Sequence, residues 1–389
     1  MRSVIKILEI VNETFEGILG TIPSYNTIGN WIKKYGLDVY NLSGKSLKDK
    51  DYAGIVDESM MIGSEKLLIT LAVPSAHQGH PLCHDDVSVL DMSVSSSWTG
   101  EGVKTQLEKS AEKVGHMPKY VISDNASIMN KGIRLCGFEQ CRDISHTLGM
   151  YLERTYKQAS DFNAYLNLMA EVKRKNSMRQ IAYLLPPTQR AFARFINLSD
   201  WVKWSRKILA AYSTLSSEEK ITFSFIPDNA SLIDELSDVI HCVECIEHIC
   251  KYQGFSRESS LQCKLQIKRM MNTGNHRMIQ LGCDIIEFLN TEAMMLESDK
   301  DVINNSSDII ESVFGTYKDR KSPNKLHGVT SFILFIPAQT QLIKSQNANL
   351  FLFKERLERT RLIDIDIWAS NNLSQNLVRK RTQTLLKAG

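Results

Sequence analysis

Three acidic residues stand where their type and surroundings point to metal-dependent chemistry. Asp57 sits inside an apolar run, Ala53-Gly-Ile-Val-Asp57-Glu-Ser. An ionised carboxylate in such a run is costly unless it is paired or binds a cation. Asp124 closes a short apolar stretch at residues 119–123 and precedes Asn125 and a helical pattern. Ligands bind at the carboxyl ends of strands in open α/β sheets, although Asp-Asn before a helix is also an ordinary cap. Glu311 follows Ser306-Ser307-Asp308, which reads as a helix start. Glu287, Glu292 and Glu297 compete for the role of third acid. Two carboxylates on neighbouring strands and one on a helix beside them would make a set of hard oxygen ligands suited to Mg²⁺ or Mn²⁺. A pair of such ions activates an attacking oxygen and stabilises a leaving one in phosphodiester chemistry. Without cations, crowded acids repel one another.

Further candidates surround these acids. His146 opens a helical segment three residues after Asp143, in Asp143-Ile-Ser-His146. A histidine there either donates to a phosphate and assists proton transfer, or serves the fold alone. The stretch His241-Cys242-Val-Glu-Cys245-Ile-Glu-His248-Ile-Cys250 partly matches zinc-ligand spacing, but it reads as one uninterrupted helix without the turn of a zinc knuckle. Ser43-Gly44-Lys45-Ser46 resembles part of a phosphate-binding loop, yet Val39 stands where that loop needs glycine.

The elements that must position these residues follow from periodicity. Strands are expected at residues 52–61, 66–73, 87–97, 119–123 and 138–145. Helices are expected at 100–114, 126–135 and 147–157. The order β-β-β-α-β-α-β-α predicts a mixed α/β sheet with helices against it, which is also the element order of the ribonuclease H-like fold.

The chain has 389 residues, 43% hydrophobic and 23% charged, as in an ordinary globular protein rather than a disordered one. Five segments are expected. Residues 1–50 form a helix-turn-helix-like start and linker, with Val4, Ile7, Leu8, Val11 and Phe15 on one face of the first helix. Its second helix, residues 27–35, carries Lys33 and Lys34 and stops at Gly36. Residues 51–157 begin a catalytic domain, 158–300 insert an all-α block, 301–340 complete the catalytic domain with the third acid, and 341–389 form a basic helical tail. The net charge of +3 is too small to announce nucleic-acid binding. The segment from Lys344 to Lys387 is more telling, since its nine Lys/Arg outnumber four acids. Eight cysteines are too few for a disulfide scaffold, and no apolar run reaches the ~18 residues of a membrane span. Residues 1–22 carry glutamates at helical spacing rather than a signal peptide. A cytoplasmic, nucleoid-associated protein without membrane contact is expected.

Ile-Val-Asp57, Ile-Ser-Asp124-Asn and Ile-Ile-Glu311-Ser-Val-Phe-Gly resemble the three blocks of DDE transposases, most closely bacterial insertion-sequence enzymes whose ribonuclease H-like domain is interrupted before the final Glu. Asp143-Ile-Ser-His146 is similar to the Cys/Asp-x-x-His motif of hAT-like transposases. The segment from Arg194 to Trp204 resembles part of the insertion domain of the bacterial relatives, although Phe195 replaces the Trp of the hAT-type Arg-Trp pair. The resemblance implies a transposase that cleaves element ends and joins them to target DNA. Asp57, Asp124 and Glu311 would hold two Mg²⁺ or Mn²⁺ ions. His146 would stand near the scissile phosphate, with Asp143 and Asn125 in support. Arg194, Trp201, Trp204, Lys33, Lys34, Lys318 and Arg320 are candidate DNA contacts, the tryptophans by stacking on a flipped base. A homodimer or larger assembly on DNA is implied as well. The alternatives are a nuclease that cuts without joining, and an inactive DNA-binding relative.

Overall fold

The computed structural model describes all residues except 1, 60, 64, 189–197, 273–274, 321–327, 343–349, 375–381, 383–384 and 387–389. Two compact units are built from interleaved segments. One comprises Met1–Ser75, Leu82–Cys141 and Ser307–Gly389, and the other Ala76–Pro81 and Arg142–Ser306.

The first unit holds a five-stranded mixed sheet. Its strands are β1 (Tyr52–Glu58), β2 (Lys66–Pro74), β3 (Ser88–Ser95), β4 (Val121–Ser123) and β5 (Gln140–Arg142), in the order β3-β2-β1-β4-β5. The first three form an antiparallel meander, and β4 joins β1 in parallel. Before the sheet come α1 (Arg2–Thr14) and α2 (Tyr25–Leu42), and between its strands α3 (Gly100–Val114) and α4 (Ser127–Cys136). The apolar run of β1 is buried from Tyr52 to Val56 because the strand is central and covered. Val56, Leu68 and Val121 pack with Val103, Leu107 and Ile133, which puts α3 and α4 on one face. Burying each such side chain contributes about 1.5–3 kcal/mol. α4 stops at Gly137, whose φ of 69° is a left-handed cap that favours glycine.

The second unit is helical. It contains α5 (Ile144–Tyr156), α6 (Ser160–Asn176), α7 (Leu198–Ala211), α8 (Ser217–Thr222), α9 (Phe225–Asp228), α10 (Ala230–Gln253), α11 (Arg257–Met271) and α12 (His276–Ala293). Ile144, Leu148, Leu152 and Tyr156 recur every fourth residue on α5 and join the helical core. This unit therefore begins at Arg142, ahead of the expected boundary at 158. The same feature shortens the expected strand at 138–145, because the Asp143 side chain caps α5 by accepting the His146 amide at 2.7 Å. The segment considered for zinc lies within α10. Its Cys242 and Cys250 are buried, with Cys250 3.9 Å from Cys263, whereas His241 and Cys245 meet at 4.0 Å on the outer side. One straight helix thus divides these side chains between two faces, and helix packing accounts for them.

The chain then returns to the first unit with α13 (Asp308–Arg320), α14 (Phe335–Leu342), α15 (Leu350–Arg359) and α16 (Leu362–Asn372). Here α2 departs from expectation. It runs through Gly36 to Leu42, and Tyr35 to Tyr40 are buried against α14, α15 and α16. Glycine is needed at position 36 because a Cβ there would lie 1.9 Å from the Leu334 carbonyl oxygen. The second helix of the expected helix-turn-helix is thus half lodged in the sheet-bearing unit. A polar cluster closes this region. The Tyr40 hydroxyl donates to Asp91 at 2.5 Å, and Trp368 of α16 meets the Tyr40 ring edge-on. Lys113 Nζ lies 3.4 Å above that ring and donates to the Leu90 carbonyl at 2.7 Å. Among the described residues, no helix is long and apolar enough to cross a membrane.

Candidate metal centre at the sheet edge

The sheet brings two of the three acids level with each other. β1 and β4 pair in parallel as Gly54↔Val121 and Ile55↔Ile122. Carried on two residues, this register sets Asp57 opposite Asp124, which lies one residue beyond the end of β4. Neighbouring strands lie about 4.8 Å apart. Both acids therefore stand at adjacent carboxyl ends, where a sheet of this kind receives ligands. Strand alternation points Asp57 away from the face that Val56 buries against α3 and α4. Asp57 is half-buried and its Oδ1 accepts the Glu58 amide at 2.7 Å. Glu58, on the other face, pairs with Lys66.

Asp124 is not the helix cap that Asp-Asn before a helix allows. The cap position of α4 is Ala126, which has no side-chain bond to offer. Asp124 Oδ1 instead accepts the Ala126 amide at 3.1 Å, an Asx turn that pins the loop. Around it runs a chain of amides and hydroxyls. Gln140 Nε2 donates to Ser123 Oγ at 2.9 Å and to Asn130 Oδ1 at 2.6 Å. Asn130 Nδ2 donates to the Asn125 carbonyl at 3.4 Å, and Ser123 Oγ to the Asp124 carbonyl at 3.1 Å. Neither Asn130 nor Gln140 stands out in the sequence, since a lone polar residue on a helix or short strand carries no signal until the elements meet.

Glu311 occupies the first turn of α13 and is exposed. α13 packs on β1, the strand that carries Asp57. An acid at this end also complements the helix dipole whatever its other role. Ser312, the next residue, lies 3.1 Å from His84 Nε2, which ties this turn to the 3₁₀ turn His84–Asp86 before β3. Burial lowers the His84 pKa, with Asp85 opposing. Glu292, one rival third acid, is buried in the helical unit and bonds Arg142 at 2.6 Å, so its carboxylate serves packing.

The remaining candidates are distributed as follows. Asp143 and His146 belong to the helical unit, with Asp143 fully buried as the cap of α5 and His146 at its third helical position. Trp201, expected to stack on a base, is 2% exposed and belongs to the helical core. The amphipathic period of α7 carries it inward. Trp204 is half-buried; its indole N–H donates to the Leu184 carbonyl at 2.8 Å and its ring meets Phe223 edge-on. It is thereby fixed by packing. Lys33 and Lys34 are half-buried on α2. Lys318 lies 5.6 Å from the Phe314 ring, and Arg320 donates to the Thr316 carbonyl at 3.0 Å while its guanidinium lies 5.3 Å from the Phe335 ring. Arg194 lies outside the described residues, as do Arg379, Lys380, Arg381 and Lys387 of the basic tail.

Asp57, Asp124 and Glu311 offer the oxygen donors that a hard divalent cation takes, two near adjacent strand ends and one on a helix packed against β1. Among the described residues, the three candidate ligands whose donor atoms lie within 4.8 Å of one another are instead His80, Cys83 and Asp86. No protein-family model matches the chain, and no curated protein matches it.

Proposed function

We propose that the protein is a DDE-type DNA transposase, with Asp57, Asp124 and Glu311 as the metal-holding acids. The observation that carries this reading is the register that sets Asp57 level with Asp124 at the carboxyl edge of the sheet. The strand order β3-β2-β1-β4-β5 supports it, because a ribonuclease H-like core has that arrangement. So does the break between β5 and α13, where the helical unit enters the chain ahead of the third acid.

Two Mg²⁺ or Mn²⁺ ions, when bound, supply Lewis-acid charge to the reacting phosphodiester. The protein's own part is positioning. The Asx turn and the paired strands hold two carboxylates in fixed directions, so little reorganisation accompanies reaction. Water attacks phosphorus at the element end, and the P–O bond that breaks leaves a 3′-hydroxyl. That hydroxyl then attacks a target phosphodiester and displaces a 3′-oxygen there. Cations of the helical unit and the C-terminal segment track the DNA backbone, so binding weakens steeply with salt. DNA and a second copy of the chain are the partners on this reading.

The test is a joining assay on DNA that flanks the gene, with and without Mg²⁺. Strand-transfer products support the transposase. Cleaved but unjoined ends point to the nuclease, and binding without cleavage points to the inactive relative.

A further inference from the structure

We infer that Gln140 is a positioning residue for Asp124, acting through Ser123 and Asn130; this rests on the reading of Asp124 as a metal ligand. The loop from Ser123 to Ala126 has little regular structure to hold it. β4 is only three residues long, and α4 starts without a side-chain cap. Its two peptide carbonyls at Asp124 and Asn125 are each taken by a side chain. Ser123 Oγ donates to the first and Asn130 Nδ2 to the second. Both of those side chains are themselves fixed by one group, the Gln140 amide, whose two N–H bonds reach Ser123 Oγ and Asn130 Oδ1.

A single residue on the edge strand thus grips the strand end and the helix start on either side of Asp124. β5 is suited to this. Cys141 is fully buried, so alternation turns Gln140 to the opposite side, toward the loop. A neutral amide does this without adding charge beside the acids. Groups that orient a metal ligand from behind typically account for 10–100-fold in metal affinity.

The experiment follows thermal unfolding of the full chain against MgCl₂, comparing wild type with Gln140→Leu and Asn130→Ser. Leucine keeps the bulk of Gln140 and removes both donors. Serine keeps a hydroxyl for Gln140 but no longer reaches the Asn125 carbonyl. The Mg²⁺ midpoint is expected to rise about 10–100-fold in Gln140→Leu and by a smaller factor in Asn130→Ser. A purely structural role would lower the unfolding temperature and leave that midpoint unmoved. Folded variants with the wild-type midpoint overturn the inference. Should Gln140→Leu fail to fold, Asn130→Ser decides alone. A wild type with no Mg²⁺ response overturns the ligand reading and this inference with it, whereas a responsive wild type with unshifted variants overturns this inference only.

Discussion

Replacing Asp124 by asparagine should exchange one kind of stability for another. Asparagine keeps the Oδ1 that accepts the Ala126 amide at 3.1 Å, so the Asx turn survives. What is lost is one negative charge beside Asp57. Carboxylates on strands about 4.8 Å apart repel by about 3 kcal/mol at an effective dielectric constant near 20. Both groups are half-buried, and solvent and salt screen the repulsion to about 1–2 kcal/mol. For a unit of this size, each kcal/mol moves the unfolding temperature by about 2–4 °C. In EDTA, Asp124→Asn should therefore unfold about 2–8 °C above wild type. Mg²⁺ at ten times its dissociation constant stabilises the binding-competent protein by about 1.4 kcal/mol. The wild type should then gain about 3–6 °C and the variant almost nothing. Differential scanning fluorimetry with EDTA and with a Mg²⁺ series reads both effects. A variant less stable than wild type in EDTA, with the same gain in Mg²⁺, would refute the reasoning.

Other expectations follow from the packing. Gly36→Ala would gain about 1 kcal/mol in helix propensity, but its Cβ would meet the Leu334 carbonyl oxygen at 1.9 Å. Urea denaturation should show a net loss of about 1–2 kcal/mol, and a neutral result would free α2 from the sheet-bearing unit. Burial holds the Lys113 ammonium down to about 7, against an upward pull from Asp91 and a further downward push from Lys109. Its folded pKa lies below the unfolded value, so unfolding takes up a proton between about pH 7 and 10. Stability should rise with pH across that window by up to about 1.4 kcal/mol per unit, and Lys113→Met should flatten the slope. Trp201→Ala should lose about 3–5 kcal/mol as a core cavity, whereas Trp201→Phe should fold and bind DNA within about twofold of wild type by fluorescence anisotropy. Lost binding in a folded Trp201→Phe would support the stacking role instead.

Local pattern made much of the sheet legible. The alternation in residues 87–97 and the continuous apolar run ending at Asp57 marked the strands that β3 and β1 became, and α3 fell where its period put it. The level placement of Asp57 and Asp124 was not legible. It depends on which strands pair and in what register, and the two residues are far apart in the chain. Tertiary contact overrode local signals elsewhere. Gly36 reads as a stop, yet α2 passes through it because close approach to Leu334 requires the missing side chain. Trp201 and a base-stacking tryptophan look alike in a sequence, and only the direction of the apolar face of α7 separates them. Glu292 reads as one of several rival acids until Arg142 is found bonded to it.

The most direct test of the central claim compares strand transfer by the wild type with that of Asp57→Ala, Asp124→Ala and Glu311→Ala. The substrate is labelled DNA from the flank of the gene, in Mg²⁺, with DNA binding measured in parallel. The account predicts joined products from the wild type, none from any of the three variants, and DNA affinity retained in all. Joined products from any one variant at the wild-type level would contradict the assignment of that acid, and binding without cleavage by the wild type would contradict the catalytic reading itself.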